Sequence, residues 1–305
     1  MGPKRHVPVL LDEVIESLKL YPGAHVIDCT VGDGGHSEKI LEATTPEGRL
    51  IAIDADPESL LRSKQRLYPF DGRVTFVREN FEKLEEIVKE HPIGSIHGVL
   101  MDFGWSSPQF SERNRGFSFE GDEPLDMRYA AGKDNKQSAE DFINNESIEE
   151  IERVFATYGE ERFANEVAWQ IGEKRKKEKI STTKQLVDLI LEVYRKKLNT
   201  EKEIPWIGGI HPATRIFQSI RIAVNNELGV IEDVLPQAVE VLQSGGRLAV
   251  ITFHSLEDRI VKHFFKSIKD KSIHIITKKP IVCSNAEAKE NPRARSAKLR
   301  VIEKI

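Results

Sequence analysis

The stretch HVIDCTVGDGGHS, residues 25–37, joins a short apolar run, an acid and a glycine-rich turn. The apolar run ends in Asp28, and the glycines at 32, 34 and 35 lead into a helical pattern. A strand that passes through such a turn into a helix is typical of nucleotide-binding α/β folds. Glycines let the backbone approach a ligand closely, and they leave N–H groups available where the helix begins. The stretch therefore predicts a site for a carboxylate or a phosphate.

Two details of this turn favour S-adenosylmethionine (SAM) over a dinucleotide. The glycine spacing lacks the third glycine of the dinucleotide fingerprint. Asp28 stands where dinucleotide folds generally keep an apolar residue beside the pyrophosphate. An acid there repels a pyrophosphate and attracts the cationic end of SAM. The structural alternative is a tight turn that needs glycines only for its backbone.

The rest of the chain alternates between strand and helix patterns before and after a long helical stretch. Further strand-type runs occupy 49–54, 73–77, 96–102, 245–253, 274–278 and 297–305. The alternation predicts an α/β protein whose mostly parallel sheet is covered by helices on both faces. Pro236, within the helical pattern 213–243, predicts a break between two helices.

The alternation stops after Asp102. Residues 103–136 are rich in glycine, proline, serine and aromatic residues without a clear period, which predicts a functional loop. Residues 138–198 show a helical pattern throughout. We therefore predict one domain formed by 1–112 and 213–305, with an all-helical domain, 113–212, inserted into it.

Composition excludes several classes of protein. The 305 residues are 39% hydrophobic and 31% charged, which is typical of a globular chain. The chain contains no apolar run of the roughly 20 residues that a membrane helix needs, and no signal-peptide pattern, so we expect a cytoplasmic protein. Two cysteines cannot build a disulfide framework, and the nine scattered histidines predict no metal site.

Positive charge is concentrated at the C-terminus. The net charge is −4, yet residues 266–305 hold 11 Lys and Arg against 4 Asp and Glu. This asymmetry suggests a polyanionic partner. The basic stretches 174–179, 195–197 and 293–300 could each neutralise phosphates, although the first two, taken singly, are interpreted as ordinary helix surface.

Acids end three of the predicted strands. Asp28, Asp54 and Asp102 each follow an apolar run. Ligands of open parallel sheets bind beyond the carboxyl ends of the strands, so the three carboxylates are expected to converge on one crevice. Asp54, 22 residues after Gly32, could accept both hydroxyls of a ribose. Asp102 could orient a nucleophile or hold the cofactor, and its structural alternative is a turn former.

Several other residues are candidates for ligand contacts or caps. Asn80 and Phe81 could bind an adenine, and Phe117 and Phe119 could stack on a flipped base. Arg215, Gln218 and Arg221 lie at helical spacing and could bind phosphates, unless they pair with acids such as Glu227. Asp56 and Ser255 are interpreted as helix N-caps, with Asp258 completing a capping box after Ser255.

Nine blocks together resemble one family. On these blocks the chain resembles the bacterial small-subunit ribosomal RNA cytosine-N4 methyltransferases, which modify a cytidine of the decoding centre in 16S RNA. The resemblance extends from residue 6 to residue 304. The blocks are VGDGGHS (31–37), DFGWSSPQ (102–109), RGFSF (115–119), PLDMR (124–128), YGEERFA (158–164), HPATRIFQSIR (211–221), VNNEL (224–228), FHSLEDRIVK (253–262) and NPRARS (291–296).

The resemblance implies a fold, a cofactor and a partner. The fold is that of a class I SAM-dependent methyltransferase, with a Rossmann-like, mostly parallel seven-stranded sheet and an inserted all-helical domain. The cofactor is SAM, and the partner is 16S rRNA within the small ribosomal subunit, with the insert as the hypothetical RNA-recognition domain. The oligomeric state stays open. The implied cofactor contacts are Gly34, Gly35, His36, Asp54, Phe81, Asp102 and Gln109.

The implied reaction is direct methyl transfer to the exocyclic amine of cytosine. That nitrogen is a poor nucleophile because its lone pair is delocalised into the ring. The enzyme must align amine, methyl and sulfur, and it must accept hydrogen bonds from the amine. Asp102 and the turn 105–108 occupy the place of the Asp/Asn-Pro-Pro-aromatic turn of DNA amino-methyltransferases. We expect Asp102, or a backbone carbonyl of 103–107, to accept the amine proton while aromatic rings hold the base.

Three alternatives remain open from the residues alone. A nicotinamide-dependent oxidoreductase uses a similar sheet, but the missing third glycine and Asp28 oppose it. A non-catalytic RNA-binding or ribosome-assembly protein could keep a SAM pocket, but the three strand-end aspartates oppose that reading. A methyltransferase that acts on DNA or protein is the third alternative.

Overall fold

The chain forms two compact units. The computed structural model describes residues 8–103, 114–129, 137–200, 211–269 and 271–305. One unit comprises Met1–Trp105 and Leu228–Ile305, and the other comprises Ser106–Glu227.

The first unit is built on a seven-stranded sheet with the order β3-β2-β1-β4-β5-β7-β6. The strands from β3 to β5 in this order pair in parallel, and β7 is antiparallel to both of its neighbours. The predicted mostly parallel, Rossmann-like sheet is confirmed. The strands are β1 (His25–Asp28), β2 (Leu50–Ile53), β3 (Val74–Val77), β4 (Ile96–Asp102), β5 (Leu242–Thr252), β6 (Ile273–Ile275) and β7 (Lys298–Lys304).

Alternation of side chains along the strands builds a core on each face of the sheet. Val26 and Leu100 belong to one buried cluster, whereas Ile27 and Val99 belong to the other. Because both faces are covered, the strands are continuous apolar runs, as parallel strands usually are. Helices of this unit are α1 (Leu11–Leu18), α2 (Gly35–Ala43), α3 (Pro57–Arg66), α4 (Leu84–Glu90), α10 (Glu227–Val241), α11 (Ser255–Ser267) and α12 (Asn285–Glu290).

The second unit is helical, and its described residues also include the irregular segment 114–129. An isolated bridge between Pro124 and Thr182 ties that segment to the start of a helix. Ser138 and Ser147 cap two of its helices, since each side chain accepts a backbone N–H of the following turn. Its helices are α5 (Ala139–Asn145), α6 (Ile148–Gly159), α7 (Ala164–Arg175), α8 (Thr183–Leu198) and α9 (Pro212–Asn225).

Helix α9 groups with the helical unit, although the sequence places residues from 213 onwards with the sheet. It packs on α5, α6 and α8. The reason is its composition, because apolar side chains such as Ile216, Phe217 and Ile220 are buried along most of its circumference. A helix with so much apolar surface must be covered by neighbouring helices.

The predicted helix break at Pro236 is wrong. The break lies at Asn226, whose left-handed backbone (φ 51°) ends α9, and α10 continues through Pro236. Asparagine enters this conformation more readily than most residues. Val234, Leu235 and Ala238 on either side of the proline are fully buried in the core, and this packing keeps the helix continuous.

The predicted cap of α11 is also wrong, by one residue. His254 is the N-cap, and Ser255 is the first helical residue. The carboxylate that completes the cap belongs to Glu257, which accepts the backbone N–H of Phe253 at 2.7 Å and that of His254 at 3.2 Å. Asp258 instead accepts the Arg300 Nε–H at 2.7 Å.

The cap predicted at Asp56 is confirmed. Its carboxylate accepts the Glu58 N–H and the Ser59 hydroxyl, both at 3.1 Å. In the part of the chain that the structure describes, no helix is long and apolar enough to cross a membrane.

Two histidines at the amino-terminal ends of β1 and β4 make the first unit sensitive to acid. The Nδ1 atom of His97 accepts the His25 N–H at 3.0 Å, and Nδ1 of His25 accepts the Arg49 N–H at 3.1 Å. An imidazolium cannot accept either bond. Burial lowers the pKa of both histidines below the ordinary 6.5.

We predict that unfolding free energy falls as the pH drops, and that His97→Asn reduces this fall. A group whose pKa is lower in the folded state binds protons more tightly in the unfolded state. Each histidine therefore contributes fully to the unfolding free energy above about pH 6.5, and this contribution is lost as the pH falls below that value. The asparagine oxygen can still accept the His25 N–H but does not titrate. Denaturant unfolding between about pH 7 and pH 5 measures the effect. An unchanged acid loss in the variant would contradict the assignment.

Candidate cofactor and catalytic site

The turn after β1 is braced from inside by Asp28. This residue is 1% exposed, its Oδ2 accepts the Ser37 hydroxyl at 2.6 Å, and its Oδ1 accepts the Thr30 N–H at 3.1 Å. Burial raises the pKa of Asp28, and the bond from Ser37 opposes that rise. The carboxylate therefore fixes the backbone of the turn and is itself shielded from solvent.

The same turn contacts the carboxyl ends of β2 and β4. Asp54 Oδ2 accepts the Gly32 N–H at 3.0 Å, and its Oδ1 accepts the Asp56 N–H at 2.9 Å. The Thr30 hydroxyl accepts the Asp102 N–H at 2.7 Å. The structure therefore brings the ends of three neighbouring strands, each with its aspartate, to one place.

The glycines of the turn have separate reasons to be glycine. Gly34 has a left-handed backbone (φ 77°), and a Cβ on Gly35 would lie 2.2 Å from Pro8 Cγ. Helix α2 begins at Gly35, and within the described residues no side chain caps its first turn. Its first backbone N–H groups are thus suited to an anionic ligand.

His36 lies between the turn and Asp102. It is 8% exposed, its Nε2 donates to the Val9 carbonyl at 2.9 Å, and its Nδ1 is 3.8 Å from Asp102 Oδ2. Burial lowers the pKa of His36, and the charge of Asp28 partly offsets this. The imidazole is accordingly neutral near pH 7, with its Nδ1 lone pair facing Asp102.

The sequence did not single out two of the residues that act on this site. Thr30 fixes the backbone of Asp102, and the charge of Asp102 raises the pKa of Arg293 against the lowering by burial. Arg293 lies in a short 3-10 helix, Pro292–Ser296. Arg293 belongs to the NPRARS block, but the sequence alone identifies this residue only as part of a basic tail.

Phe81 lies at the edge of the sheet after β3. Its ring stacks on Phe103 with centroids 5.9 Å apart, and both are partly buried against the core. The Asn80 Oδ1 accepts the Glu82 N–H at 3.0 Å, so this oxygen caps a short 3-10 helix. Gln109 and the turn 105–108 lie outside the described residues.

Arg221 has the structural role that the sequence offered as its alternative. It donates to Glu227 through Nε at 2.7 Å and through Nη2 at 3.0 Å, in a buried bidentate pair. Tyr129 also donates its hydroxyl to Glu227, at 2.9 Å. Arg221 is therefore committed inside the helical unit, whereas Arg215 is exposed.

The expectation that Phe117 stacks on a base is wrong. Its ring is 6% exposed and lies parallel to Tyr129, with centroids 5.6 Å apart. Phe119 stacks on His211 at 4.8 Å. These rings close the irregular segment 114–129 onto its own unit.

The basic stretch 174–179, which comprises the end of α7 and the residues that follow it, contains ion-paired lysines, in agreement with the interpretation as ordinary surface. Lys174 pairs with Glu178 at 3.1 Å, and Lys179 pairs with Glu140 at 2.7 Å. Exposed pairs of this kind contribute little to stability.

Comparisons with known proteins find relatives over the whole chain. The MraW methylase family matches residues 3–305. Three similar proteins are each named Ribosomal RNA small subunit methyltransferase H. The protein from Symbiobacterium thermophilum is 46% identical over 98% of this chain and 96% of its own length. Those from Brevibacillus brevis and Clostridioides difficile are 44% and 42% identical, over 98% of this chain and 98% and 99% of their own lengths.

These relatives do not favour the oxidoreductase or the non-catalytic assembly protein, since all three are named as methyltransferases.

We predict that Arg221→Met destabilises the protein by about 3–5 kcal/mol, because it leaves the buried Glu227 carboxylate without its partner. The double variant Arg221→Met, Glu227→Gln also removes the negative charge of the carboxylate, and we expect it to lose less unfolding free energy than the single variant. Its amide oxygen still accepts the Tyr129 hydroxyl. Denaturant unfolding of both variants measures the difference, and a double variant at least as unstable as the single one would contradict the assignment.

Proposed function

Because this chain belongs to the MraW methylase family, we propose that it transfers a methyl group from SAM to the exocyclic N4 amine of a cytidine in 16S rRNA. The names of the relatives support ribosomal RNA of the small subunit as the substrate. The decoding centre is the location that we propose within that RNA, and this substrate would place the enzyme in the cytoplasm. One observation carries the proposal: a single turn, residues 28–37, holds the ends of three strands that each carry a carboxylate.

The residues of the turn fit SAM. The N–H groups at the start of α2, which begins after the left-handed Gly34, suit its carboxylate. Asp54 accepts the Gly32 N–H and the Asp56 N–H, and because a carboxylate oxygen can accept more than one hydrogen bond, we assign the ribose hydroxyls to Asp54. We assign the adenine to the edge at Phe81. Gly35, His36 and Gln109 complete the proposed cofactor contacts.

SAM, when bound, supplies an electrophilic methyl group on a sulfonium. The chain must hold the cytosine amine in line with that methyl group and must accept hydrogen bonds as the nitrogen becomes tetrahedral. We assign this acceptor role to Asp102. The side chain of Asp102 is 15% exposed, so it is largely desolvated yet reachable, and the Thr30 hydroxyl fixes its backbone.

His36, whose Nδ1 lies 3.8 Å from Asp102, supplies no proton to that carboxylate in this proposal. The buried imidazole is neutral and has its Nε2–H committed to Val9, so it does not neutralise the carboxylate with a proton of its own. A negative Asp102 is the stronger acceptor for an amine that gains positive charge during the transfer.

We predict that Asp102→Asn lowers the single-turnover rate of methyl transfer by about a hundredfold, because the neutral amide is a weaker acceptor. Asp54→Asn serves as the matched control and is expected to weaken SAM binding more than it slows the chemical step. Rapid quench measures the rate, and calorimetry measures SAM affinity. Full turnover and normal SAM affinity in Asp102→Ala would contradict the role of Asp102 as the acceptor for the amine.

The function itself is tested by transfer of radiolabelled methyl from SAM to three substrates. These are assembled small ribosomal subunits, protein-free 16S RNA and duplex DNA, and nuclease digestion then identifies the modified nucleoside. We expect N4-methylcytidine in the ribosomal RNA. Label only in DNA, or no label while SAM is bound, would overturn the proposal.

A further inference from the structure

A buried carboxylate anchors the turn between α6 and α7 in the helical unit. Glu161 is 4% exposed, and its two oxygens lie 2.8 and 2.9 Å from the Tyr194 hydroxyl, which α8 contributes. One of them also accepts the Phe163 N–H at 2.9 Å. Burial, together with the bond to Glu161, raises the pKa of Tyr194. The turn is therefore held in place by the buried hydrogen-bonded pair of Glu161 and Tyr194.

The same turn is fixed to α9. Glu160 has a left-handed backbone (φ 47°), and its carbonyl oxygen accepts the Arg215 Nη1–H at 2.8 Å. Gly159 lies so close to α9 that a Cβ would be 2.8 Å from the Arg215 carbonyl oxygen. The turn and α9 are thus held together by a hydrogen bond from the Arg215 side chain to a backbone carbonyl and by the close backbone approach at Gly159.

Two exposed guanidinium groups result from this arrangement. Arg162 is exposed, and its Cζ lies 4.4 Å from the centroid of Phe163 and 5.7 Å from that of Tyr194. Arg215 is exposed as well, and the positive charges of both arginines act on the Tyr194 hydroxyl. The two guanidinium groups therefore lie on the same side of the helical unit.

These arginines differ from three lysines of the unit whose charges are neutralised by glutamates. Lys174, Lys179 and Lys197 pair with glutamates, whereas Arg162 and Arg215 form no ion pair with a carboxylate of the described residues. A guanidinium that lies over an aromatic ring keeps its N–H edge free for a planar bidentate acceptor. Carboxylates and phosphates both bind such a fork through two hydrogen bonds, and an RNA backbone supplies phosphates.

We propose that Arg162 and Arg215 form a phosphate-binding pair that docks the backbone of the RNA substrate on the helical unit. The proposal rests on the proposed function, since it takes an RNA substrate as its premise. The pair acts on affinity and orientation, and it takes no part in the methyl transfer itself. Rigid placement matters because it reduces the side-chain entropy that binding would otherwise lose.

The expected effect is a change in the salt dependence of binding. Each neutralised phosphate contributes roughly 0.7–0.9 to the slope of log affinity against log salt concentration. Arg162→Ala and Arg215→Ala should each lower that slope by about one, and the double variant by about two. We expect the double variant to bind about tenfold more weakly at moderate salt.

The experiment measures binding of the full-length enzyme, with SAM present, to assembled small subunits across a series of salt concentrations. Lys184→Ala is the matched control, since it also removes one exposed positive charge. Lys184 lies near the amino-terminal end of α8, whereas Tyr194 lies near the carboxyl-terminal end. We expect this control to keep the wild-type slope. SAM affinity is expected to stay unchanged in all four variants, and the unfolding temperature is expected to fall only slightly in the two variants that lose the bond from Arg215 to Glu160.

The outcomes separate this proposal from the proposed function. A wild-type enzyme that neither binds nor methylates the subunit rejects the proposed function. A wild-type enzyme that methylates, beside arginine variants that match Lys184→Ala, overturns the phosphate pair alone. Weaker binding with an unchanged salt slope would indicate contact with a ribosomal protein and would also overturn it.

Discussion

The hydrogen bond from the Asp102 backbone N–H to the Thr30 hydroxyl, at 2.7 Å, is the contact on which the site depends. It joins the end of β4 to the turn after β1, and the bond from the Gly32 N–H to Asp54 joins β2 to the same turn. Because the sheet fixes the order of these strands, one short turn sets the positions of three carboxylates. Asp28 supports the turn from within, where its bonds to Ser37 and Thr30 are out of reach of solvent.

Burial gives the same residue type different roles at the three strand ends. Asp28 is buried, its pKa is raised by that burial, and its carboxylate fixes the backbone of the turn. Asp54 and Asp102 are less buried, so they remain accessible to a ligand while their backbones are fixed. His36 is kept neutral by burial, and its Nδ1 lies 3.8 Å from Asp102, the carboxylate to which we assign the acceptor role. In the helical unit, the buried Glu161 similarly fixes a turn from which Arg162 projects to the surface.

The sequence predicts β1 to β4 well, together with the acids that end β1, β2 and β4, because buried parallel strands are continuous apolar runs whose carboxyl ends share one edge of the sheet. It offers Glu227 as a possible partner of Arg215 and Arg221, but it could not decide between this pairing and phosphate binding. Arg221 pairs with Glu227, and Arg162 lies over Phe163, through local geometry that one window of sequence does not show. Pro236 misleads for a related reason, since burial of its neighbours outweighs the local preference of proline.

Thr30→Val tests most directly whether the turn positions Asp102 for methyl transfer. Valine keeps the shape of threonine but cannot accept the Asp102 N–H, and Thr30→Ser keeps the hydroxyl as the matched control. The measurement is the single-turnover rate of methyl transfer to small-subunit RNA at saturating SAM. The account predicts a rate at least about tenfold lower in Thr30→Val and close to wild type in Thr30→Ser, since a displaced acceptor loses alignment. A wild-type rate in Thr30→Val would contradict it.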